Sequence, residues 1–203
     1  MIQQNENTKL SDPSYEYVRM LSVCIAVVMY LLWLYLGCHN QLQARDGDDV
    51  ISKNISYAVS LMDIVSKKLK GTVYVCKSTI TIRKYDRDKI VAFSQEIGRL
   101  AHIDPADVSL SKYLAGNQDV ISVPNSLIAL SGTTWISDDD AITVGKGSNT
   151  ILRFSVPFEV SKGIYICEVQ VDRGPLSGHR DMYVFRVVNG EIEILGVLLV
   201  SVS

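Results

Sequence analysis

No Cys-x-x-Cys pair, no Gly-x-Ser-x-Gly elbow and no Gly-x-x-x-x-Gly-Lys-Ser/Thr loop occurs anywhere in this chain, and each absence removes a class of chemistry. Without the first, the spacing that gathers thiolates around a structural zinc is missing. Without the second and third, there is neither the strained turn that presents a hydrolase serine nor a backbone cradle for nucleotide phosphates. Histidine is scarce as well: His39, His102 and His179 are the only three. Lysine and arginine total 20 against 22 aspartate and glutamate, for a net charge of -2. They form no basic patch interleaved with aromatics, so nucleic acid is not an expected partner.

Charge is missing altogether between Arg19 and Arg45, and within that gap Met20–Gly37 (MLSVCIAVVMYLLWLYLG) is almost wholly apolar. A helix of about 20 such residues spans the ~30 Å hydrocarbon core of a bilayer. Tyr17, Tyr30, Trp33 and Tyr35 supply aromatic side chains suited to the two interfaces. The run is apolar on every face, which separates it from an ordinary amphipathic core helix. A cleaved signal peptide fits less well, because the leader before it is long and carries Glu6, Asp12 and Glu16, and because signal h-regions are shorter. Lipid attachment at Cys38 after Leu36-Gly37 is a further alternative. The expected organisation is a cytoplasmic tail 1–19, a transmembrane helix 20–38, a polar linker 39–49 and one folded domain 50–203. Lys9 and Arg19 before the span against Arg45 after it favour an extracytoplasmic domain by one positive charge.

Within the domain, Ile51, Ile55, Ala58, Met62, Val65 and Leu69 recur at steps of three and four and mark one face of a helix that Gly71 stops. Too short for a persuasive coiled coil, this seam is expected to pack on the domain's own sheet. Thr72–Lys84 is rich in β-branched residues and reads as strand. Asp86 or Asp88 then caps a helix carrying Ile90, Phe93, Ile97 and Leu100, and Asp104-Pro105 opens a further helix ending near Gly116. From Asp119 onward the pattern is short apolar runs between turns, with strands at Thr150–Phe158, Ile164–Val171, Met182–Val188 and Glu191–Val202. Asn189-Gly190 between the last two signals a type I′ hairpin. Helices early and antiparallel strands late give an α+β fold. Glu191–Val202 is apolar on both faces, which points to a strand buried in the middle of the sheet or lying in a subunit interface.

Candidate chemistry is sparse. Cys76 and Cys167 lie in strands and could pair as one disulfide in an oxidising compartment, or remain two buried thiols. Asp138-Asp139-Asp140 lacks the spacing of a calcium loop and reads as a solvated turn, and Gly145–Ser148 reads as a hairpin turn. The loop Asp172–Asp181 carries Arg173, His179 and Arg180, which could meet a partner or an anionic ligand. His102 with Asp104, or His179 with Asp181, would support a hydrolase only if a serine joined them. No catalytic residue, cofactor or metal is therefore expected. The layout of tail, span and compact outer domain suggests a non-enzymatic assembly or scaffold component of an envelope machine such as a bacterial secretion, conjugation or pilus system. Its partners would be the lipid bilayer and other envelope proteins, with a second copy in a homo-oligomer as a further candidate. A membrane-tethered ligand-binding or sensing domain is the alternative.

Overall fold

A computed structural model of the chain describes residues 29, 49–82, 85–145, 149–174 and 177–202. The chain divides into two units, Met1–Asp49 and Val50–Ser203, of which the second is the folded domain. Among the described residues no helix is long and apolar enough to cross a membrane. The expected tail and, apart from residue 29, the expected span lie outside the described residues, as does the linker up to residue 48.

Residues 49–68 are helical (α1). The seam lies where its spacing places it: Ile55, Ala58, Met62 and Val65 are buried, with Ile51 and Leu69 at the margins. They form one core with Val75, Leu152, Phe154, Cys167, Val169 and Phe185 of the sheet, so the helix packs on its own domain. Asn54 is buried in the same helix, so the Asn54-Ile55-Ser56 triplet offers no exposed glycosylation acceptor. Past the helix end the backbone turns at Gly71, whose φ of +91° is cheap only for glycine.

Seven strands follow: β1 (Val73–Thr79), β2 (Thr134–Ile136), β3 (Thr150–Phe154), β4 (Phe158–Ser161), β5 (Ile164–Asp172), β6 (Gly178–Val188) and β7 (Glu191–Val202). Their order is β2-β1-β3-β5-β6-β7, with β4 also paired to β5. The fold is α+β, but the sheet is mixed rather than antiparallel throughout. β1 runs parallel to both β2 and β3, and only β3 to β7 pair antiparallel. A parallel return needs a long crossover, which the helical stretch between β1 and β3 provides. Asn189 and Gly190 close the β6–β7 hairpin at φ of 53° and 84°, as a type I′ turn requires. The expected strand Thr150–Phe158 is two strands, because Pro157 cannot donate to a ladder and the backbone of Val156 turns instead to the Asn117 side chain.

On the other face lies α2 (Arg87–Ala101), started by Asp86, whose carboxylate accepts from Lys89 N at 2.7 Å. Phe93 and Ile97 are buried there with Ile166, Met182 and Val184, and Ile90 and Leu100 pack at the margin. The helix expected from Asp104 to Gly116 splits into a 3₁₀ turn (Pro105–Asp107) and α3 (Ser111–Gly116), since Val108 is extended. Two short helices, α4 (Asn125–Ile128) and α5 (Asp138–Val144), complete the crossover. The aspartate run is therefore no free turn: Ser137 caps α5, and Asp138, Asp139 and Asp140 occupy its first turn, where backbone N–H groups favour negative charge. Gly145 caps the far end of α5, so it leads from a helix toward β3 and does not close a hairpin; residues 146–148 lie outside the described residues.

The last strand corrects the expectation of a central position, because β7 is an edge. Two bulges explain how an edge strand carries apolar residues on both faces. Register shifts leave Leu195 and Val200 without partners on β6, and both pack with Leu198 against the α2 side. Ile192 and Ile194 pack against the α1 side.

Candidate functional site

Two features of the second unit go beyond what the core needs. The first is the outer side of β7. Val197, Leu199 and Val202 pair with Tyr183, Asp181 and His179 of β6, and are 47%, 63% and 73% exposed. Among the described residues no strand pairs with the outer edge of β7. Natural edges are commonly blunted by bulges and lysines, and here the bulges at Leu195 and Val200 and the Lys89 ammonium, 3.4 Å from Val200 O, guard the flanks. Gly196–Leu199, between the bulges, stays regular and unguarded.

The second feature is a cleft of about 350 Å³ lined by Ser78, Thr79, Thr81, Asp138, Arg153 and Arg180 among others. It opens where the pairing of β1 with β3 slips between Val75 and Thr79. Arg153 on β3 and Arg180 on β6 are both in register with Gln170 on β5, which puts the three side chains in one row on one face of the sheet. Each guanidinium is anchored. Arg153 donates from Nη1 to Asp138 Oδ1 at 2.8 Å and lies 3.7 Å from Asp172 through Nε. Arg180 donates to Gln170 Oε1 at 3.1 Å and to Glu168 Oε2 at 3.5 Å. The Ser78 hydroxyl donates to Asp138, and this bond, helped by Arg153 and opposed by partial burial, holds the Asp138 carboxyl below the usual range.

Glu168 lies behind Arg180 and is fully buried, with Oε1 lacking any hydrogen-bond partner among the described residues. Burial pushes its carboxyl up to about 7, and Arg180 offsets only part of that. Its backbone is held by a polar chain: Glu168 N donates to Ser155 Oγ at 2.9 Å, which lies 3.0 Å from the Tyr113 hydroxyl on α3. Burial raises the Tyr113 phenol far above its ordinary value, so it stays neutral.

The residues expected from the sequence fall in separate places. Of the three loop residues only Arg180 reaches the cleft. Arg180 and His179 are neighbours within β6, so their side chains leave opposite faces; His179 Nε2 meets Asp181 at 3.2 Å. Arg173 sits in the β5–β6 turn, where its N–H donates to Ser177 O. The loop is shorter than expected because β5 runs to Asp172 and β6 begins at Gly178. His102 ends α2 in a left-handed conformation at φ 56°. Among the described residues no serine hydroxyl bonds to either imidazole. His39 lies outside them.

Cys76 and Cys167 are free and buried. Cys76 packs with Ile136, Ala141 and Ile151 on the α5 side, whereas Cys167 belongs to the α1 core, and β3 runs between their strands. No disulfide joins them. Burial raises the thiols to about 11 and about 12, which keeps both protonated and unreactive.

Arg153, Asp138, Ser78, Gln170 and Glu168 were not singled out by sequence pattern as site residues. One signal was present: Glu168 and Gln170 alternate with Cys167, Val169 and Val171, placing polar groups on one face of a strand with apolar residues on the other. No protein family, curated protein or solved structure matches the chain.

Proposed function

We propose that this chain is a membrane-tethered assembly protein without enzymatic activity, a scaffold component of an envelope machine such as a secretion, conjugation or pilus system. The outer side of β7 carries this reading. An exposed, apolar edge with a regular unguarded stretch is the template on which a second chain adds a strand, its backbone N–H and C=O groups giving affinity and its side chains register. The partner strand comes from a neighbouring envelope protein or from a second copy. The uncharged run Met20–Gly37 supports the tether, and the one-charge excess of Lys9 and Arg19 over Arg45 supports an extracytoplasmic domain.

The test places a photocrosslinking side chain at Leu199 or, as control, at the equally exposed Ile142 of α5, in the full chain in its own membrane. A discrete protein adduct at Leu199, absent at Ile142, is the expected result, and its mass separates a second copy from another protein. Equal labelling at both positions, or no adduct at Leu199, overturns the docking role. A compartment-dependent reporter after Ser203 tests placement, and a cytoplasmic C-terminus overturns it.

The second reading, a tethered ligand-binding or sensing domain, is favoured by the arginine cleft. A binding module collects a few convergent polar groups in a concavity, and Arg153, Arg180, Asp138 and Ser78 do so.

A further inference from the structure

We propose that the cleft between Arg153 and Arg180 binds a small oxyanion, a carboxylate or phosphate group, and that binding is coupled to proton uptake by Glu168 behind Arg180. This inference rests on the second functional reading and is independent of the β7 edge.

Geometry and free donor capacity point to an oxyanion. The charged side chains lining the cleft itself are Arg153, Arg180 and Asp138; with Asp172 beside Arg153 and Glu168 behind Arg180 the local charge is balanced when Glu168 is protonated and one negative when it is ionised. Both oxygens of Asp138 are already occupied, one by Arg153 and one by Ser78. Among the described residues neither Arg153 Nη2 nor the Arg180 Nε–H makes a hydrogen bond, so each guanidinium keeps donor capacity after its anchors are counted. Two such groups, held in one row with hydroxyls of Thr79 and Thr81 beside them, match the planar, multiply accepting edge of a carboxylate or phosphate.

The coupling follows from the place of Glu168. Of the groups packed around it, Arg180 of β6 is the cation that reaches its carboxyl; Gln170 on its own strand is uncharged, and Tyr113 of α3 stays neutral. An ionised Glu168 neutralises Arg180 from behind. Once protonated, it leaves the Arg180 charge to the cleft, and by linkage an anion on Arg180 must raise the proton affinity of Glu168. The Oε1 atom without a partner is the structural sign that this carboxylate is not held as a settled buried ion pair.

The test titrates the full chain with sulfate and with acetate, neither of which changes charge between about pH 6 and about pH 8.5, and follows heat together with the arginine side-chain NMR signals. Saturable binding at pH 6 that weakens about tenfold at pH 8.5 is expected. Preference for sulfate marks a phosphate ligand and preference for acetate a carboxylate. Glu168→Gln should bind at both pH values alike, and Arg153→Gln should lose binding, with Arg153→Lys in between because it keeps the charge but not the fork. Absence of saturable binding by either anion at pH 6, or binding that Arg153→Gln and Arg153→Lys leave untouched, overturns the site. A pH dependence that persists in Glu168→Gln overturns the coupling. None of these outcomes bears on crosslinking at Leu199, so the two proposals fail separately.

Discussion

Asn117 holds both backbone groups of Val156 at once: its Nδ2 donates to Val156 O at 3.0 Å, and its Oδ1 accepts from Val156 N at 2.7 Å. The same amide also donates to Tyr113 O, and the side chain is fully buried. A single residue after α3 thus stands in for the strand partner that the chain lacks between β3 and β4.

Replacing Asn117 should therefore cost more than a typical single substitution. Asn117→Ala leaves a buried N–H and C=O of Val156 unpaired, and the loss expected is on the order of 3 kcal/mol. Asn117→Asp restores the acceptor but not the donors and should fall between. Urea denaturation of the three proteins at one pH checks the order.

Leu100 and Gly196 make a second close relationship. A Cβ at Gly196 would lie 2.5 Å from Leu100 Cδ2, so any side chain at position 196 requires Leu100 to shift. Gly196→Ala is expected to destabilise by about 1–3 kcal/mol through overpacking. Combined with Leu100→Ala it should cost less than the sum of the single changes, since each relieves the other. Additive losses in a double-mutant cycle would remove this account of the α2–β7 contact.

Glu168 sets a pH window. Its carboxyl lies near 7 in the folded chain against an ordinary 4.5, so the native state keeps a proton that the unfolded state has released. Below 4.5 both states are protonated and no penalty arises. As pH rises toward 7 the unfolded state binds fewer protons, so stability falls; above 7 the penalty levels off at about 3 kcal/mol. Glu168→Gln should flatten this descent, and unfolding midpoints of both proteins between about pH 5 and about pH 8 give the difference that isolates the residue. Parallel curves for the two proteins would show that Glu168 is ionised throughout.

Much of the local structure was legible because it depends on neighbours in sequence. The α1 seam, the Asp86 cap, the Asn189-Gly190 turn, the start of β5 and the bounds of β7 each follow from periodicity or from a residue whose side chain or φ serves the next few residues. Readings failed where an element was too short to show a period or where an irregularity interrupted a strand. The aspartate run looked like a turn because the helix it starts is only Asp138–Val144, too short to show a period. Pro157 broke a strand that its apolar flanks had joined. β7 read as central because its residues are apolar on both faces, a pattern that two bulges produce just as well on an edge.

The sequence by itself determined that one uncharged run long enough for a bilayer precedes one α+β domain, since composition and the periods of two and 3.6 residues are properties of the chain alone. Tertiary structure decided strand order, the exposure of β7 and the meeting of Arg153, Gln170 and Arg180 in one row. Those depend on which strands become neighbours, and that is settled by how α1 and α2 cover the two faces of the sheet, across separations no local pattern records.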